Sequence, residues 1–180
     1  MHNVVICGDC GKKILTRTIV NACFAYGGAT VVDGDKIYSC GNGQRYTIFC
    51  MTTLSDLYLP DAIIVLGKAL LQIRSDLSSN ECVCILDSGV KSAVNFAAKT
   101  GFKAIGCSLG EHDTFGVSGY SDENTVLVSL RRNLQRSDGI FLEPMDFRVT
   151  TEENCPAYPI MAASAILLMS GISPENGLNF

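Results

Sequence analysis

Tryptophan is absent from this 180-residue chain, histidine occurs twice, and charged residues make up only 18%. So little charge beside 47% hydrophobic residues excludes a disordered segment and calls for a large enclosed core. Basic clusters are missing too: none is denser than Arg131-Arg132, and the net charge is −4. A nucleic-acid partner is therefore not expected. No run reaches the roughly 18 apolar residues that a spanning helix needs, so no membrane partner is expected either. The opening Met1-His2-Asn3-Val4-Val5-Ile6-Cys7-Gly8 lacks a basic n-region, and its apolar run is too short for a secretion signal. A cytoplasmic protein is expected. Nine cysteines, an odd number without such a signal, argue against a disulfide framework. Cys23, Cys50, Cys82, Cys84 and Cys107 lie in apolar runs, where a reduced cysteine acts as a small hydrophobe.

What is present is an alternation of short apolar runs with helical patterns. Val4 to Cys7 reads as a buried strand. Lys12 to Tyr26 reads as a helix, with Ile14, Leu15, Thr18, Ile19, Ala22 and Cys23 on one face and Gly27-Gly28 as its stop. Ala29 to Val32 is a strand ending in Asp33-Gly34-Asp35. Ile37 to Cys40 and Tyr46 to Met51 are predicted to pair as a hairpin across Gly41-Asn42-Gly43. Ala62 to Leu66, after Pro60-Asp61, is a continuous apolar strand of the kind covered on both faces. Lys68 to Asp76 reads as helical, Cys82 to Leu86 as a strand and Val90 to Lys99 as a helix capped by Gly101. Lys103 to Cys107 is the next strand.

From Phe115 the character changes. Thr125 to Leu130, Ile140 to Leu142 and Phe147 to Thr150 read as antiparallel strands around Ser137-Asp138-Gly139. Ile160 to Met169 is an apolar, Ala-rich helix, explained by core packing or by an interface. The pattern predicts one α/β domain over residues 1–180. It is doubly wound, with a mainly parallel sheet, a P-loop-like first turn and a small antiparallel extension.

The first turn carries most of the functional question. Val4 to Cys7 runs into Gly8-Asp9-Cys10-Gly11-Lys12-Lys13 and then directly into a helix. A strand, a glycine-rich turn and a helix N-terminus are the parts of a phosphate cradle. Against the pattern Gly-x-x-x-x-Gly-Lys-Ser/Thr, Ile6 stands in the first glycine position and Lys13 in the hydroxyl position. Lys12 can still face a phosphate, but Lys13 cannot ligate Mg²⁺. The same residues read as a tight turn without ligand, or as Cys7-x-x-Cys10 for zinc or redox chemistry. Zinc lacks a second pair, since Cys40 and Cys50 are far apart and Cys82-x-Cys84 too close.

Other candidates have plain alternatives. Asp33 and Asp35 suit a metal, a ribose or a turn. Asp87 ends a parallel-type strand and suits a ligand contact or a helix N-cap. Glu111-His112-Asp113 resembles an acid-base group but reads as a solvated loop. Arg131, Arg132 and Arg136 read as an exposed face.

Three stretches resemble one family, the Mur ligases and folylpolyglutamate synthetases, in their central ATP-binding domain. Ile6-Cys7-Gly8-Asp9-Cys10-Gly11-Lys12 resembles the family's shortened loop, Gly-Thr-x-Gly-Lys-Thr-Thr. Val83 to Gly89 resembles its strand ending in Asn-x-Asp-Asp, and Ala104 to Gly110 its "Thr-Phe-Gly" strand. Asn154 to Ala165, followed by Gly171-Ile172, resembles its Asn-x-x-Asn-x-x-Ala-Ala-x-Ala helix.

The resemblance implies ATP with Mg²⁺ as cofactor, contacted by Gly8, Asp9, Cys10, Gly11, Lys12, Lys13 and Asp87. The departures are as informative. Lys13 and Ile14 replace the loop threonines, and Val65-Leu66-Gly67-Lys68 replaces a strand end followed by an Asp-His pair. The magnesium-binding Glu has no counterpart beyond Asp33, Asp35 or Asp56. The amino-acid-binding domain that completes such a ligase is absent from these residues. The expectation is a degenerate module that has lost activity on its own and acts through a protein partner or a homo-oligomer. The alternative is an ATP-dependent ligase-like enzyme that uses Lys12.

Overall fold

In the computed structural model of the chain, which describes residues 1–9, 13–52, 61–68, 82–122 and 124–180, the first strand is buried on both faces. Val4 and Ile6 enter one apolar cluster and Val5 and Cys7 another, each at most 1% exposed. A strand of this kind belongs inside a sheet that is covered on both sides.

The first half of the chain builds that sheet. Its elements are β1 (His2–Cys7), α1 (Ile14–Ala25), β2 (Ala29–Asp33), β3 (Lys36–Cys40), β4 (Tyr46–Met51), β5 (Ile63–Leu66), β6 (Val83–Leu86), α2 (Lys91–Thr100) and β7 (Lys103–Gly106). The order is β3-β2-β4-β1-β5-β6-β7, and every neighbouring pair is parallel except β2 with β3. Leu15, Ile19, Ala22 and Cys23 of α1 join the first cluster, whereas Ala93, Phe96 and Ala97 of α2 join the second. The sheet is thus doubly wound.

The second half adds β8 (Phe115–Asp122), β9 (Thr125–Leu130), β10 (Leu134–Gln135), β11 (Phe141–Leu142), β12 (Met145–Thr150), α3 (Ala157–Met169) and β13 (Leu178–Asn179). β13-β12-β9-β8 form a smaller, mostly antiparallel sheet, and β10 pairs with β11. All twelve residues from Tyr158 to Met169 are buried. All of them but Pro159 and Ser164 share one cluster with Val4, Ile6, Ile48 and Ile85 of the large sheet and Val126, Val128, Leu130, Phe147 and Val149 of the small one. α3 is therefore a central helix between two sheets. It is apolar all round because it has no solvent side.

The predicted hairpin is overturned. β3 pairs with β2 through a two-residue turn, Asp33 facing Lys36, while β4 lies parallel between β2 and β1. Gly34, at φ 63°, supplies the positive φ which that turn needs at its first central position. The glycines of Gly41-Asn42-Gly43 serve close approach instead. A Cβ on Gly28 would lie 2.5 Å from the Gly43 carbonyl oxygen. Helix α2 and its cap follow expectation, with Gly101 at φ 69°. The helix predicted from Lys68 to Asp76 falls, beyond Lys68, outside the described residues. β8, β10 and β13 were not predicted. β8 is exposed along much of its length and so shows no hydrophobic run.

Candidate functional site

β1 is flanked by β4 and β5, and the chain leaves it in one direction through α1 and returns on its other side at β5. In open α/β sheets such a reversal, at the carboxyl ends of the strands, is where ligands bind. The backbone there is tightly tied. Gly8 N donates to Met51 O (3.1 Å), and Gly67 N donates to Cys7 O (2.6 Å). A Cβ on Gly67 would press on the Gly8 carbonyl and sit 2.8 Å from Asp9 N, so only glycine lets these loops meet. Gly8 itself turns at φ 78°.

Asp9 and Lys13 define the electrostatics of the turn. One carboxylate oxygen of Asp9 accepts from both Thr16 N and Thr16 Oγ1, each at 2.7 Å. Thr16 lies in the first turn of α1, where backbone N–H groups have no helical partner. The helix has no acidic residue in that turn, and its N-cap residue Lys13 makes no side-chain cap bond. Asp9 therefore reaches across the loop to do the capping, and its charge complements the positive end of the helix dipole. Lys13 sits in the left-handed region at φ 49°, and its ammonium pairs with the Asp33 carboxylate at the end of β2. That hydrogen bond raises the pKa of Lys13. Beside the pair, burial and then the Asp33 charge push the Cys50 thiol up to about 11.

Of the residues singled out from the sequence, Gly8, Asp9 and Lys13 meet at the end of β1. Cys10, Gly11 and Lys12 lie outside the described residues, as does Asp56. Asp87 follows β6, and its Oδ1 accepts from Gly89 N at 3.0 Å. It does not cap α2, whose N-cap residue is Val90. Asp33 is held by Lys13, and Asp35 is exposed in the β2–β3 turn. Among the described residues no group of three or more His, Cys, Asp or Glu side chains is arranged to hold a metal ion.

Asp113 is buried rather than solvated: Ser108 Oγ donates to its Oδ2 at 2.5 Å, and Gly110 N donates to Ser108 Oγ at 3.0 Å. The small side chains after β7 leave a pocket that a carboxylate fills. Arg131 and Arg136 are not a free cationic face either. Arg131 donates to the Gly110 carbonyl and lies across Gly116, while Arg136 lies across Gly171 and pairs with Asp138 at 2.6 Å. Only Arg132 is exposed.

Tyr158 is the residue missed by sequence reasoning. Its hydroxyl donates to Leu66 O at 2.5 Å, with Ile85 O a second acceptor at 3.4 Å. It thereby ties α3 to the ends of β5 and β6. Burial holds this hydroxyl well above the usual tyrosine range, helped by nearby groups that include Asp87 and Asp9. The available signal was one phenol at the head of an otherwise apolar helix.

No protein-family model matches the sequence, and no curated protein does. Solved structures do. One is a murein peptide ligase from Psychrobacter arcticus 273-4, at 12% identity and a TM-score of 0.53, over 94% of this chain and 44% of that one. Another is MurF from Acinetobacter baumannii, at 11% and 0.56, over 98% and 44%. A third is UDP-N-acetylmuramate:L-alanyl-gamma-D-glutamyl-meso-diaminopimelate ligase from Neisseria meningitides, at 12% and 0.57, over 94% and 62%. The chain spans less than two thirds of each of them. At such identities the likeness establishes the fold: a Mur-ligase-like α/β unit with a mostly parallel sheet and a small antiparallel one.

Proposed function

We propose that this chain is a nucleotide-binding-derived module that does not catalyse ligation by itself and works through a protein partner or by self-association. The observation that carries this reading is the Lys13–Asp33 ion pair. Ligation through an acyl phosphate needs Mg²⁺ to offset charge on the transferring phosphoryl group. A phosphate loop holds that ion through the hydroxyl that follows its lysine. Lys13 has no oxygen to give, and its ammonium is already committed to the carboxylate that ends β2. An arriving Mg²⁺ meets a cation where it needs a ligand.

Among the described residues Asp33 is a carboxylate that could stand in as a ligand, and Lys13 pairs with it. Asp87 is engaged in its own turn. A reducing, cytoplasmic setting is part of this proposal, since nine cysteines, an odd number, do not suit a disulfide framework.

The test is ATP affinity with and without Mg²⁺, repeated on Lys12→Ala. The module predicts no saturable binding at millimolar ATP and no dependence on Mg²⁺. Tight, Mg²⁺-dependent binding that Lys12→Ala abolishes establishes the ligase-like enzyme instead.

A further inference from the structure

The geometry points to a binding site for a small organic acid at the amino ends of the strands, at the opposite end of β1 from the glycine turn. β1, β5, β6 and β7 run parallel, so their first residues gather at one end of the large sheet. A cavity of about 600 Å³ lies there, a size suited to a small molecule. His2, Asn3 and Lys103 line it from the sheet, and Gln135, Arg136 and Ser137 from the connection between β10 and β11. That connection is held in place. Lys103 Nζ donates to Gln135 Oε1 at 3.2 Å, and Ser137 N donates to Met169 O at 2.8 Å, at the end of α3.

The lining has two kinds of surface. Ile63, Val83 and Met169 give it an apolar floor. The polar part carries more positive than negative charge. Lys103 and Arg136 stand there with one lining carboxylate, Asp61, among the described residues. Arg136 is paired with Asp138 at 2.6 Å, but its Nε is buried with no acceptor among the described residues. The Lys103 ammonium is bonded only to a neutral amide oxygen, and no described carboxylate pairs with it. Burial first, then the amino group of Met1 and Arg45, hold His2 below the usual histidine range. Its imidazole is therefore neutral near pH 7 and can donate or accept a hydrogen bond. An acidic head supplies the counter-charge that Lys103 lacks, and a short apolar body covers the floor. A bare inorganic anion would leave the floor wet, and a neutral molecule would leave the ammonium unmatched.

The experiment follows the two histidine ring resonances by NMR while hexanoate is added to the full chain near pH 7 at low salt. A saturable shift of His2 is expected, with His112, which lies beyond the carboxyl end of β7, unmoved. Hexanol and inorganic phosphate are expected to bind about ten-fold or more weakly than hexanoate. Lys103 is exposed, so Lys103→Gln and Lys103→Glu should both fold, which circular dichroism checks. Lys103→Gln is expected to lose about ten-fold in affinity and Lys103→Glu to lose saturable binding. If one variant does not fold, the other decides alone. A His2 resonance that does not move overturns the inference. So do hexanol or phosphate binding as tightly as hexanoate, and folded Lys103 variants that keep wild-type affinity.

Discussion

Leu167→Asp is expected to leave the chain unfolded at room temperature, with helical circular dichroism lost and an expanded elution volume. Leu167 is 0% exposed on α3, the helix that both sheets pack against. Truncating such a side chain to alanine costs about 2–5 kcal/mol, the transfer term plus the cavity left behind. An aspartate adds an unpaired polar group at a site with no partner for it. Whole domains are stable by only about 5–15 kcal/mol, so the sum reaches the total. Leu167→Ala should fold, with a melting temperature lower by about 10 °C, given about 2–4 °C per kcal/mol at this size. Leu109→Asp is the control: Leu109 is 72% exposed, and its replacement should change little. If Leu167→Asp melts like wild type, α3 is not the shared core of the two sheets.

Alkali is expected to unfold the protein well before its backbone is otherwise at risk. Burial pushes the Cys84 thiol from near 9 up to about 12. Cys23 and Cys107 shift the same way, each chiefly by burial. The sign follows from linkage. A thiol whose folded pKa is raised stays protonated in the fold, while the unfolded chain loses its proton near pH 9. Stability is therefore untouched below that pH and falls as pH rises through the window up to about 12 for Cys84. Each deeply buried thiol costs about 1.4 kcal/mol per pH unit within its window. Denaturant melts at pH 8 and pH 10.5 should thus differ by several kcal/mol, and Cys84→Ala should flatten part of that slope. Equal midpoints at the two pH values would contradict the burial of these thiols.

The parallel core was legible because its strands are short apolar runs separated by turns. Val4 to Cys7, Ala62 to Leu66 and Cys82 to Leu86 have no polar alternation, and sheets covered on both faces produce that pattern. The hairpin was misread because Gly41-Asn42-Gly43 looks like a turn, although its glycines are there for contact with Gly27 and Gly28. The exposed β8 gave no apolar signal at all. At the site, the strand–turn–helix order was readable and its charge pairing was not. Asp9 with Thr16 and Lys13 with Asp33 are partners 7 and 20 residues apart, brought together only once α1 and β2 are placed. Tyr158 was hidden in the same way, because its acceptors lie 92 and 73 residues earlier.

The carboxylate of Asp9 holds the amide and hydroxyl of Thr16 at the start of α1. The most direct measurement follows the backbone amide of Thr16 by NMR while MgATP is added to the wild-type chain. That resonance is expected to stay in place, since its donor is already bound to Asp9. A saturable shift of that amide, absent when Lys12 is replaced by alanine, would contradict it.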